Sequence, residues 1–80
     1  MAMRAKSPRV ILTFSTTTDA MAMERYCGAN GVAGRLIPVP SAISAGCGMC
    51  WSAPADARGS VEAAAAAAGL RTEGVYELNL

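Results

Sequence analysis

The stretch Val10-Ile11-Leu12-Thr13-Phe14-Ser15-Thr16-Thr17-Thr18-Asp19 decides the fold. Its first five residues are rich in β-branched and aromatic side chains, with no polar alternation. Such a run reads as a central strand buried on both faces. The hydroxyls that follow, or Asp19, can N-cap a helix by accepting from its unpaired N–H groups. Residues 19–30 then read helical. Ala20, Met23 and Cys27 recur at i, i+3 and i+7 on one face, with Glu24 and Arg25 away from it. Gly28 and Asn30-Gly31 end the helix, and Gly31 suits a left-handed C-terminal cap.

The remaining elements extend this reading. Residues 34–40 form a second strand in which Leu36, Ile37 and Val39 are apolar. Pro38 lacks an N–H, so this strand runs along a sheet edge or ends early. Residues 49–53 make a short third strand, and 54–58 a connector with Asp56 or Ser60 as the next cap. Residues 61–70 form a helix built on six consecutive alanines, with Val61, Ala64, Ala65 and Ala68 able to face inward. Residues 74–80 alternate apolar and polar and close the domain as a strand. The order β-α-β-β-α-β predicts an α+β, ferredoxin-like split βαβ arrangement: a four-stranded antiparallel sheet with two helices on one face. Residues 1–8 carry no periodicity and are expected as a flexible tail, leaving 9–80 as a single domain.

Composition narrows the function. Eighty residues make one small domain, which buries only about 60–65% of its unfolded surface. Charged residues are 16% of the chain and the net charge is +1. This argues against nucleic acid and polybasic membrane anchoring. No histidine is present, which excludes Ser-His-Asp and Cys-His catalysis and imidazole metal sites. Three cysteines do not make a secreted disulfide framework, so a reducing cytoplasm is expected. No run is long enough for a signal peptide or a membrane span. A lone C-x-x-C is too few ligands for zinc or an iron–sulfur cluster, and no metal or cofactor is expected.

The chemistry concentrates in Ser44-Ala45-Gly46-Cys47-Gly48-Met49-Cys50. Gly46 and Gly48 free the backbone on both sides of Cys47, and their N–H groups suit an anion-binding nest around a thiolate or persulfide. Cys50 follows at the spacing of a dithiol pair, and Arg35 on the second strand can reach the same side to favour a thiolate. Against this stands a plainer reading: a tight turn at Cys47, with Cys50 and Cys27 as small core residues. Met21, Met23 and Met49 read as packing residues.

Four segments carry a resemblance. They are Phe14-Ser15-Thr16-Thr17-Thr18-Asp19-Ala20-Met21-Ala22-Met23-Glu24, Gly34-Arg35-Leu36-Ile37-Pro38-Val39-Pro40, Ile43-Ser44-Ala45-Gly46-Cys47-Gly48 and Gly74-Val75-Tyr76. Through them the chain from Val10 onward resembles the putative selenium/sulfur carrier protein-like family of small bacterial proteins. The L-I-P-V-P and S-A-G-C-G segments are the specific parts. The resemblance implies a compact domain with α and β elements and a role in carrying sulfur or selenium, with Cys47 at the family's carrier position.

The leading expectation is therefore a carrier, rather than a stand-alone enzyme. Cys47 would take sulfane sulfur or selenium from a donor of the cysteine desulfurase type. It would hold it as a persulfide and present it to an acceptor enzyme. Cys50 would release the outer sulfur by attacking Cys47, with Gly46, Gly48, Ser44 and Arg35 supporting the site. Docking to two partners predicts an exposed face around Ile43, Met49 and Trp51. An edge strand and a thin Ala-rich core also suggest a homodimer. The rival functions are a dithiol redox protein using Cys47 and Cys50, and an interaction module in which Cys47 only fills a turn.

Overall fold

In the computed structural model, which describes residues 7–43 and 48–80, the opening apolar run becomes strand β1 (Pro8–Phe14), with Val10 through Phe14 all buried. Thr13, its one buried polar side chain, donates its hydroxyl to the Gly74 carbonyl at 3.3 Å. Helix α1 (Thr17–Asn30) follows. Thr16 is its N-cap, accepting from the Asp19 N–H at 3.1 Å. Gly31 closes the helix at φ 67°, its N–H and that of Val32 both donating to the Cys27 carbonyl.

Strand β2 (Arg35–Pro38) and strand β3 (Met49–Pro54) come next, then a 3-10 turn (Ala55–Ala57), helix α2 (Arg58–Ala67) and strand β4 (Thr72–Asn79). The fold is α+β, with a four-stranded antiparallel sheet and two helices. The sheet order is β2-β3-β1-β4. Both β1 and β2 run antiparallel to β3, which lies between them. The uniformly apolar strand is therefore central, and the strand with Pro38 is an edge. Pro38 also falls at a position whose nitrogen faces away from β3. Val39 at the next rung donates to the Gly48 carbonyl, and antiparallel residues alternate between bonded and unbonded pairs.

Alternation divides the core in two. Val10, Leu12, Phe14, Trp51 and Ala53 face both helices and pack against Ala20, Met23 and Cys27 of α1 and Val61, Ala64 and Ala65 of α2. The alanines let α2 lie close to the sheet. Arg58 ties that helix to β4 through Glu77, beside its own-turn pair with Glu62. Ile11, Cys50 and Ile43 form a second, smaller cluster on the opposite face, bordered by Ile37, Val39 and Leu78.

Several expectations change. Helix α2 starts at Arg58, three residues early, and neither Asp56 nor Ser60 caps it. Ala57 is the N-cap and makes no side-chain cap bond. The 3-10 turn after Pro54 leads the chain straight into the helix, and Ser60 lies inside its first turn. The C-terminal end of α2 is a Schellman arrangement: Gly69 at φ 68° donates to Ala66, and Leu70 donates to Ala65. Strand β1 already includes Pro8, and Ser7 exchanges both backbone bonds with Leu80 at 3.1 Å; residues 1–6 lie outside the described residues. Met21, expected to pack, is exposed.

Candidate functional site

The connection from β2 to β3 carries the expected sulfur chemistry. Its ends are tied by the Val39 N–H to Gly48 carbonyl bond at 3.0 Å, which prolongs the β2–β3 ladder by one rung. Within it, Ile43 donates to the Pro40 carbonyl at 2.9 Å, closing a turn over residues 40–43. That turn drives Ile43 down onto Ile11 and Cys50. Gly48 has φ 74°, a conformation that favours glycine, and a Cβ there would meet nothing within 4 Å. Backbone geometry, rather than crowding, is what calls for glycine at 48. Ser44, Gly46 and Cys47 lie outside the described residues.

Cys50 is the second residue of β3 and is 0% exposed. It pairs with Thr13 on one side and Ile37 on the other, beneath Ile43. Arg35 opens β2 and pairs with Ser52, one same-face position beyond Cys50 along β3, which is about 6.7 Å of strand. Arg35 thus shares the face of Cys50 but stands at the end of β2 remote from the Cys47 connection.

The predicted exposed face around Ile43, Met49 and Trp51 does not form. Ile43 is 9% exposed and Trp51 only 3%. Met49 and Trp51 alternate with Cys50 and so point to the helical side. The indole N–H of Trp51 donates to the Ala33 carbonyl at 3.1 Å, fixing the connection between α1 and β2. Trp51 packs in the helical-side core.

Cys27 lies in the helical core, 1% exposed, with the sheet between it and Cys50. Burial pushes its thiol above the ordinary value of 9.0. The folded state therefore holds this proton more tightly than the unfolded chain. Stability from this group is complete below the unfolded value and is lost as pH rises past it. Expected is a melting temperature that declines above about pH 9 less steeply in Cys27→Ala than in the wild type, measured relative to each protein's neutral-pH value. Identical alkaline slopes would refute the assignment.

No group of three or more metal-ligating side chains occurs among the described residues. Among them no helix is long and apolar enough to cross a membrane.

Residues absent from the sequence reading also come together here. Arg9 donates its Nε–H to Ser52 Oγ at 3.1 Å, bringing a second cation to the Cys50 face. Period-two alternation in β1 and β3 was the available cue. It puts Arg9, Ile11 and Thr13 on one side of β1, and Cys50 and Ser52 on the same side of β3.

No curated protein and no solved structure matches the chain. The family described as "Putative Se/S carrier protein-like" matches residues 9–77. That span takes in both helices, β2, β3, the S-A-G-C-G segment and all but the outer ends of β1 and β4, and the chain belongs to this family.

Proposed function

We propose that the protein carries sulfane sulfur or selenium on Cys47. The observation that carries this reading is the family match across residues 9–77, whose name is that of a Se/S carrier. The Val39–Gly48 bond supports it by fixing both ends of the segment that bears Cys47 at the β2–β3 edge of the sheet. We further read the β-α-β-β-α-β order with β3 between β1 and β2 as the ferredoxin-like split βαβ arrangement.

In the proposed step, the Cys47 thiolate attacks the outer sulfur of a donor persulfide. A Cys47 S–S bond forms, the donor S–S bond breaks, and the donor leaves as a thiolate. An acceptor nucleophile then attacks the outer sulfur and returns Cys47 as a thiolate. Where Cys50 acts instead, its thiolate attacks Cys47 Sγ and hydrosulfide leaves. The resulting disulfide needs a thiol reductant to reset it. The donor is a cysteine desulfurase and the acceptor an enzyme that uses the sulfur or selenium.

The test is intact-protein mass after incubation with a cysteine desulfurase and cysteine. The wild type gains one or more sulfur atoms that reductant removes. Cys47→Ser gains none, and Cys27→Ser loads like the wild type. Loading in Cys47→Ser would overturn the assignment. Absence of loading together with a reversible Cys47–Cys50 disulfide would favour dithiol redox chemistry.

A further inference from the structure

The face of the sheet away from the helices carries charge that sulfur loading does not use. Arg9 and Arg35 flank Ser52 on β3, Arg9 through its 3.1 Å bond and Arg35 as the direct cross-strand partner. Their strands stand on either side of β3, about 10 Å apart, and the lean of Arg9 onto Ser52 narrows that gap. Arg35 is exposed, and neither arginine is in an ion pair among the described residues. Two like charges on strands either side of β3 repel each other, and an anion that joins them removes that repulsion.

Most of the side-chain carboxylates are elsewhere. Asp19 and Glu24 belong to α1 and Glu62 to α2, and Glu77 is turned to the helical side by Arg58. Glu73 sits at the β1–β4 register shift beside Phe14, at the opposite end of the strand from Arg9. Asp56 borders the same shallow depression as Arg9 and forms no ion pair with it.

The surroundings of the two arginines are apolar. Ile37, Val39 and Leu78 are half-buried on the same face. Tyr76, 40% exposed, lies opposite Ile11 with its ring over Gly74. A sheet face with cations set among apolar side chains matches an extended segment bearing carboxylates and apolar groups on one side.

We propose that this face docks an acidic, partly apolar segment of a partner protein, with Arg9 and Arg35 as its anchors around Ser52. The reason for a partner to come here rests on the carrier reading; docking itself does not require Cys47 to load. Arginine suits the role, since its planar fork takes a carboxylate through two hydrogen bonds.

The test uses the full 15N-labelled chain and a synthetic peptide with Glu and Leu alternating at every second position. When the peptide is extended, both residue types then lie on one side. Expected are amide shifts centred on Arg9, Ile11, Arg35 and Ser52, with a shift of the Arg9 Nε–H. Binding should weaken roughly tenfold in R9Q/R35Q. It should also fall sharply in about 1 M salt, where the screening length is about 3 Å. A peptide with Gln for Glu should bind as weakly as the double variant. Shifts confined to α1 and α2, no shifts at all, or equal binding by R9Q/R35Q would each overturn the proposal. Loading of the wild-type chain from inorganic polysulfide tests the carrier reading separately. Peptide binding without loading would sink that reading alone, and loading without peptide binding would sink docking alone.

Discussion

Gly34→Ala loses a large part of the domain's stability, while Gly31→Ala loses distinctly less. Both glycines have positive φ, 122° at Gly34 and 67° at Gly31. Only Gly34 is crowded. A Cβ there would overlap the Trp51 indole nitrogen and stand 2.7 Å from the Ser52 carbonyl oxygen and 2.8 Å from Trp51 Cε2. None of these atoms yields cheaply. The carbonyl belongs to β3, and the indole is fixed by its bond to Ala33 and by the core around it. Strain at such a φ costs about 1–3 kcal/mol, and overpacking costs about 1–3 kcal/mol more. A domain of this length has roughly 4–12 kcal/mol in total. The melting temperature should therefore drop by roughly 10–30 °C. Gly31→Ala meets nothing within 4 Å and should cost about 1–2 kcal/mol through the backbone alone. Thermal melts followed by circular dichroism decide the matter. Equal losses at the two positions would refute the steric argument, as would a Gly34→Ala protein with unaltered Trp51 fluorescence.

Gly34 also marks where the sequence stops being readable. Its neighbours Arg35 to Pro38 are a legible edge strand, and Pro38 pointed to the edge for the right physical reason. The close approach of Trp51, seventeen positions later, is a tertiary fact that no local pattern contains. The same division runs through the sheet. Val10 to Phe14 read correctly as central because an unbroken apolar run has to be covered on both faces. Trp51 reads as a packing or rim residue by itself, but beside two glycines and two cysteines it also suggests an exposed docking face. Alternation with Met49 and Ala53 puts it on the helical side instead. The start of α2 was misplaced because the alanine run dominates the propensity, while the true start depends on a 3-10 turn without a side-chain cap. Cys27 was legible as core from the Ala20-Met23-Cys27 spacing. The burial of Cys50 beneath Ile43 was only half legible. Strand position argued for it, but the covering residue comes from a turn whose path the sequence does not define.

That cover sets the last prediction. Cys27 and Cys50 are both closed to solvent, yet different motions expose them. Reaching Cys27 means parting α1 from the sheet and breaking the main core. Reaching Cys50 means lifting Ile43, which, among the described residues, belongs to a small cluster and closes the turn over residues 40–43. Local openings of this kind have lower free energies than global unfolding. A thiol-alkylating reagent in native buffer should therefore label Cys50 faster than Cys27, as resolved by peptide mass mapping. Truncating the cover with Ile43→Ala removes apolar contacts from Cys50 without touching the helical core. If it lowers the local opening free energy by about 1.5–3 kcal/mol, labelling of Cys50 accelerates roughly 10- to 100-fold. Cys27 should keep its rate within about twofold, because distant sites act independently. Parallel acceleration at both cysteines would mean that Ile43→Ala had simply weakened the whole domain. No acceleration at Cys50 would mean that Ile43 is not its barrier. The outcome bears on chemistry as well as on protection. A cysteine that opens by lifting one side chain can take part in the sulfur release proposed at Cys47. One that opens only with the whole fold can serve only as packing.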